Sequence, residues 1–82
     1  MLIQDIVEYI QSVSDSALHM ACTAAMGAKD DPDRTVVDSS SLEVFGTNGL
    51  HVMDNSVMPD VLAVHPQATV VAMAEKAAEM IA

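Results

Sequence analysis

Two histidines stand where a side chain could move a proton. His65 lies in Val64-His65-Pro66-Gln67-Ala68-Thr69, directly before a proline, and His19 lies in Leu18-His19-Met20-Ala21-Cys22. Imidazole exchanges protons near neutral pH, so it suits general acid and base work. Proline is favoured in the first turn of a helix, where its missing N–H costs no hydrogen bond. It also pushes the preceding residue towards extended backbone. The pattern therefore predicts an extended run from Val61 to Val64, His65 at its end, and a helix from Pro66 to Ile81. An imidazole there sits beside the free N–H groups of a helix start, a corner that can hold an anionic or electron-rich ligand atom. The same residues also allow a plain helix start with His65 at a corner. His19 is equally open, reading either as a packed core histidine or as a catalyst. His51 reads as a sheet-face residue without chemistry.

The elements that must position these groups follow from periodicity. Ile3, Ile6, Val7, Ile10 and Val13 recur at helical spacing, with Gln4, Asp5, Glu8 and Gln11 opposite, so Leu2 to Val13 is expected to be an amphipathic helix packed by its apolar stripe. Ser14-Asp15-Ser16 ends it. Ala17 to Gly27 is dominated by small residues, which let backbone approach closely. Ala28 to Arg34 reads as a polar surface loop. Its acids do not match a calcium-loop spacing, and no metal centre is expected. Leu42 to Phe45 and Leu50 to Met53 read as two short strands joined at Gly46-Thr47-Asn48-Gly49, a hairpin signal. Asp54-Asn55-Ser56 follows at the strand end, a usual place for ligand contacts in open sheets, or simply a turn acid bonding nearby backbone. The last helix is apolar over more than one stripe and is expected to be buried on two sides. The fold class is α+β: an N-terminal amphipathic helix, short strands with a hairpin, and a long C-terminal helix.

Composition narrows the setting. The 82 residues carry 12 acids against three Lys and Arg, a net charge of −9, which argues against nucleic-acid and anionic-membrane partners. A chain of this length buries only ~60% of its unfolded surface. It is 51% hydrophobic, yet holds one Tyr, one Phe and no Trp, so it reads as a piece packed on a larger body. The single Cys22 cannot close an internal disulfide. Asp5 and Glu8 without an early base do not form a signal peptide, and no stretch is apolar enough to span a membrane. The compartment stays open.

Taken in order, "LHMACTAAMG", "TVVDSSSLEVFGTNGLHVMDNSVMP" and "HPQATVVAMAEKAAEMI" resemble the C-terminal end of the glucose-methanol-choline (GMC) oxidoreductases over nearly the whole chain. The resemblance implies residues 1–82 as the C-terminal segment of a larger fold with an FAD-binding Rossmann-like domain and a substrate domain. It implies FAD as cofactor and an alcohol as small-molecule substrate. The hydroxyl proton goes to a histidine and a hydride leaves the carbinol carbon for the flavin. His19 matches the catalytic base, and His65 the second active-site residue, which hydrogen-bonds the substrate oxygen. Asp54 and Asn55 match the FAD-contacting segment, and Pro66 and Gln67 the helix start that meets the flavin ring. Ala24-Ala25 depart from the usual pair before Met-Gly, and Asn55 stands where Ala is common.

No G-x-G-x-x-G fingerprint occurs in the chain, so the remainder of such an enzyme is the expected partner, and the chain alone is expected to be inactive. Two readings stay beside this one within the resemblance: a hydroxynitrile-lyase-like relative, and a non-catalytic packing piece. An acyl carrier protein is the rival outside it, suggested by size, acidity and "VVDSSSLEV". The strand and turn signals after that serine oppose it.

Overall fold

Helix α1 (Ile3–Val13) begins where Leu2, in extended backbone, donates its N–H to the Asp5 carboxylate at 2.8 Å. That satisfies one donor and sets an acid at the positive helix end. It stops at Ser14, whose N–H and Oγ–H both donate to the Ile10 carbonyl, at 2.9 and 2.6 Å. The computed structural model describes residues 2–82. Within them the apolar stripe of α1 is formed as predicted but is not packed. No α1 residue is buried, and Ile3 and Ile10 are 81% and 52% exposed. The molecule is elongated, 59 × 28 × 15 Å, and the rest of the chain does not reach over the stripe.

The core lies in the remainder. Val37 and Val57 are fully buried, Leu42 and Ala77 almost so, with Ala24, Met26, Val44, Val52, Met53 and Met73 packed around them. Strand β1 (Met26–Gly27) pairs in parallel with β2 (Val37–Asp38), Met26 opposite Val37 and Gly27 opposite Asp38. This pairing was not among the expected strands. The expected hairpin exists, but its arms are shorter than predicted. It reduces to one antiparallel bridge, Glu43 with His51, flanked by Val44 N–H to Leu50 C=O at 2.8 Å and Val52 N–H to Leu42 C=O at 3.1 Å. The cause is local. Leu42 (φ 61°) and Gly46 (φ 80°) take left-handed backbone at the two ends of the first arm, so extended geometry survives only between them. Gly46 closes a turn in which Thr47 N–H donates to Val44 C=O at 3.2 Å, a task that favours glycine.

Gly27 is required for a different reason. A Cβ there would lie 2.3 Å from Thr35 Cγ2. Thr35 cannot easily rotate away, because its Oγ1 lies 2.9 and 2.8 Å from the carbonyls of Ala28 and Asp31. Gly27→Ala is therefore expected to cost about 1–3 kcal/mol. Adding Thr35→Ser removes the clashing methyl and keeps the hydroxyl, and should recover most of that loss in urea unfolding. Equal instability of the single and double variants would rule out the clash.

Helix α2 (Gln67–Ile81) starts one residue later than predicted, with Pro66 as its cap (φ −77°, ψ −13°). The run before it is not fully extended, since the chain bends at Ala63 and Val64. Val70, Met73, Ala74 and Ala77 face inward at helical spacing, while Val71, Met80 and Ile81 stay exposed. The expected burial on two sides is thus not met within this chain: one face of α2 is covered, because the other elements all lie to that side. Among the described residues no helix is long and apolar enough to cross a membrane.

Candidate active site

The start of α2 brings His65 to the edge of a cleft, and the 19–24 segment brings His19 to meet it. That segment is laced to a single 3-10 turn, Asn55–Val57, whose Val57 is rooted in the core. Asn55 Nδ2 donates to the Met20 carbonyl at 2.6 Å, and Ala24 N–H donates to the Ser56 carbonyl at 2.9 Å. Leu18 (φ 59°) and Cys22 (φ 75°) bracket His19 in left-handed backbone. Such backbone costs an L-residue of order 1–3 kcal/mol and persists where the surroundings over-determine it. His19 is anchored on its C-terminal side, through the bonds at Met20 and Ala24.

Across 46 positions of sequence, His65 Nδ1 and His19 Nε2 lie 3.0 Å apart. The rings meet edge to face, with centroids 4.8 Å apart and planes at 78°. Between two neutral rings one nitrogen donates and the other accepts, so a ligand that replaces this mutual bond meets one bare nitrogen and one N–H at the same spot. His19, Asn55, His65, Pro66, Gln67 and Val70 line a cleft of about 350 Å³ there. No side chain caps the α2 start, which leaves its first N–H groups to water or to a ligand. Asn55 Oδ1 is buried without a hydrogen-bond partner, a costly state that a bound donor would relieve.

Of the six site residues expected from sequence, five thus share one cleft. Asp54 lines the adjoining hollow with Met20, Ala21, Thr23, Asn55 and Ser56. Its Oδ1 accepts the Ser56 N–H at 2.8 Å and the Ser56 hydroxyl, so the local turn role is filled. Val70 in the cleft wall and the Met20 carbonyl that anchors the loop were not singled out beforehand. Neither carries a distinctive side-chain signal. His51 lies instead beside Glu43 across the hairpin, at 3.9 Å.

The Ser56 side-chain bond, with its backbone bond second, holds the Asp54 carboxyl below the usual carboxylate value of 3.8. Asp38 is lowered likewise, by the Ser40 hydroxyl first and the Ser40 and Ser41 N–H groups after it. Because the folded values lie below the unfolded ones, both caps stabilise fully above pH 3.8 and fade as pH falls through the lowered folded values. Ser56→Ala should move the Asp54 carbon-13 titration upward, towards 3.8, and leave Asp38 unmoved. An unchanged Asp54 curve would contradict the assigned cause.

The family model for GMC oxidoreductase matches residues 3–74. The chain belongs to the GMC oxidoreductase family. The oxidoreductase cicC of Emericella nidulans is 40% identical over 77 residues, covering 94% of this chain and 12% of that protein. The mitochondrial choline dehydrogenase of Mus musculus is 38% identical over 78 residues, 95% of this chain and 13% of the relative. Versicolorin B synthase of Aspergillus parasiticus is 44% identical over 80 residues, 96% of this chain and 12% of the relative. The chain therefore spans about one eighth of the length of the curated GMC relatives it matches. No solved structure matches it.

Proposed function

We propose that this segment supplies the histidine pair of an FAD-dependent alcohol oxidase or dehydrogenase. The observation that carries the reading is the contact of His19 with His65 at 3.0 Å in the mouth of the cleft. A hydroxyl placed between two imidazoles needs one bare nitrogen to take its proton and one N–H to hold its oxygen, and the pair offers both. His19 Nε2 takes the hydroxyl proton. His65 hydrogen-bonds the oxygen and keeps it oriented while negative charge grows there. Val70 and Pro66 give the cleft an apolar wall on one side.

The residues fit a flavin. Asn55 Oδ1 is a buried acceptor in want of a donor, and a flavin ring carries an N–H. The uncapped α2 start, at Pro66 and Gln67, offers N–H groups at its positive end. Asn55 and Gln67 would hold the ring edge, with Pro66 packing beside it and Asp54 reaching it from the adjoining hollow. When bound, FAD supplies the two-electron acceptor for the hydride that leaves the carbinol carbon.

The test is a hybrid. This chain replaces the matching segment of the mouse choline dehydrogenase, and the product is assayed for bound flavin and for alcohol turnover with and without an added electron acceptor. Flavin binding with acceptor-dependent turnover supports the reading. Acceptor-independent cleavage of a cyanohydrin would instead place the segment with lyase-like relatives. A flavin-loaded hybrid inert towards every alcohol tried would leave it a packing piece.

A further inference from the structure

The same two nitrogens have the spacing of a metal chelate. Two nitrogens each about 2.1 Å from one ion, a right angle apart, are themselves about 3.0 Å from each other. His65 Nδ1 and His19 Nε2 are at 3.0 Å before any ion is present. Nor do the rings meet nose to nose. Their centroids are 4.8 Å apart, less than the nitrogen separation plus two ring radii. At least one nitrogen therefore points off the line joining them, which leaves room for both to share a third atom. The pair is also reachable, since His65 is exposed and His19 half-buried.

We infer that the His19–His65 pair chelates one divalent late-transition-metal ion, Cu²⁺ most strongly, in adjacent positions of a tetragonal site. Imidazole nitrogen is a favoured ligand of Cu, Ni and Zn, and affinity rises to Cu²⁺ along the divalent series. Among the described residues no group of three or more His, Cys, Asp and Glu converges on an ion. The remaining positions fall to water, which the exposed His65 admits. Tetragonal coordination by nitrogen and oxygen is the preference of Cu²⁺. The ring that donates within the pair takes its other tautomer on binding. Its proton moves to the far nitrogen, and none need be released. The ion occupies the nitrogens assigned above to the alcohol, so it would block that role, but the binding itself does not depend on that assignment.

The probe is Cu²⁺ added to the 82-residue chain, followed by electron paramagnetic resonance and calorimetry. One ion per chain with two imidazole nitrogens coupled to it is the expected result. His19→Asn and His65→Asn should each leave one coupled nitrogen and weaken binding by more than the roughly tenfold to hundredfold that loss of an outer-shell partner costs. His51→Asn and Cys22→Ser should bind as the parent does. Zn²⁺ should compete more weakly, and Mg²⁺, an oxygen-seeking ion, not at all. In case either histidine variant unfolds, the parent is also titrated in urea, where the two-nitrogen signal should vanish. The same signal in urea, a single coupled nitrogen in the parent, or equal loss with His51→Asn would overturn the inference. All these readouts are of metal binding, so they are decided separately from the alcohol-oxidation reading.

Discussion

Replacing His19 by alanine in the flavin-loaded hybrid should lower alcohol turnover by about 10²–10⁴-fold, the usual worth of a positioned general base. The bound flavin should remain, because His19 is fixed by its own loop, through the Asn55 bond to the Met20 carbonyl, and that bond survives the change. His65→Ala removes a hydrogen bond to the reacting oxygen and should cost less, about 10–100-fold. The two histidines touch, so their effects should not add. The double variant should be little slower than His19→Ala alone. Free imidazole in the assay should restore part of the lost turnover in His19→Ala, a response that a merely structural defect would not show. If both single variants kept full turnover with flavin bound, the assignment of proton transfer to this pair would be wrong.

The second large effect concerns stability. Leu42→Ala should destabilise the fold by about 2–5 kcal/mol. Leu42 is 5% exposed and is one of four residues at the centre of the core, with Val37, Val57 and Ala77. A core this small has no second layer to collapse into the space left behind. The backbone at Leu42 also carries two bonds, accepting from Val52 N–H at 3.1 Å across the hairpin and donating to Asp38 C=O at 2.7 Å in the turn before it. Val71→Ala is the control. Val71 is 54% exposed on the uncovered side of α2, and its loss should stay within about 0.5 kcal/mol. Urea unfolding of the three proteins separates the two expectations. A Leu42→Ala curve overlying that of Val71→Ala would show that this cluster does not carry the fold.

Much of this was legible in the residues. The stripe of α1, the proline start of α2 and the Asn-Gly hairpin all declare themselves through short-range rules; the two helices keep their predicted bounds within a residue, while the hairpin arms shrink to one bridge. The contact of His19 with His65 was legible only through the family pattern, because no local rule joins residues 46 positions apart. The parallel pair β1–β2 went unread for a related reason. Two residues per strand leave no alternation to detect, and their pairing depends on a loop turned by Thr35. The left-handed backbone at Leu18, Cys22 and Leu42 is invisible in residue types that ordinarily avoid it. The apolar stripe of α1 and the second apolar face of α2 were expected to be buried, and both stay exposed. The chain itself does not meet the pattern's demand for cover.

That unmet demand bears on when α1 is a helix at all. Eleven residues fall short of the roughly 12–15 at which isolated helices become even marginal in water, since the first turn must be nucleated at a loss. The Asp5 cap and the Ser14 stop trim that loss without removing it. With no core contact to hold it, α1 should wind and unwind independently of the Val37–Val57 body. Its amide hydrogens should exchange orders of magnitude faster than those of β2. Helicity at residues 3–13 then works as a gauge: it rises when the apolar stripe is covered and falls when it is bare, while the rest of the molecule stays as it was.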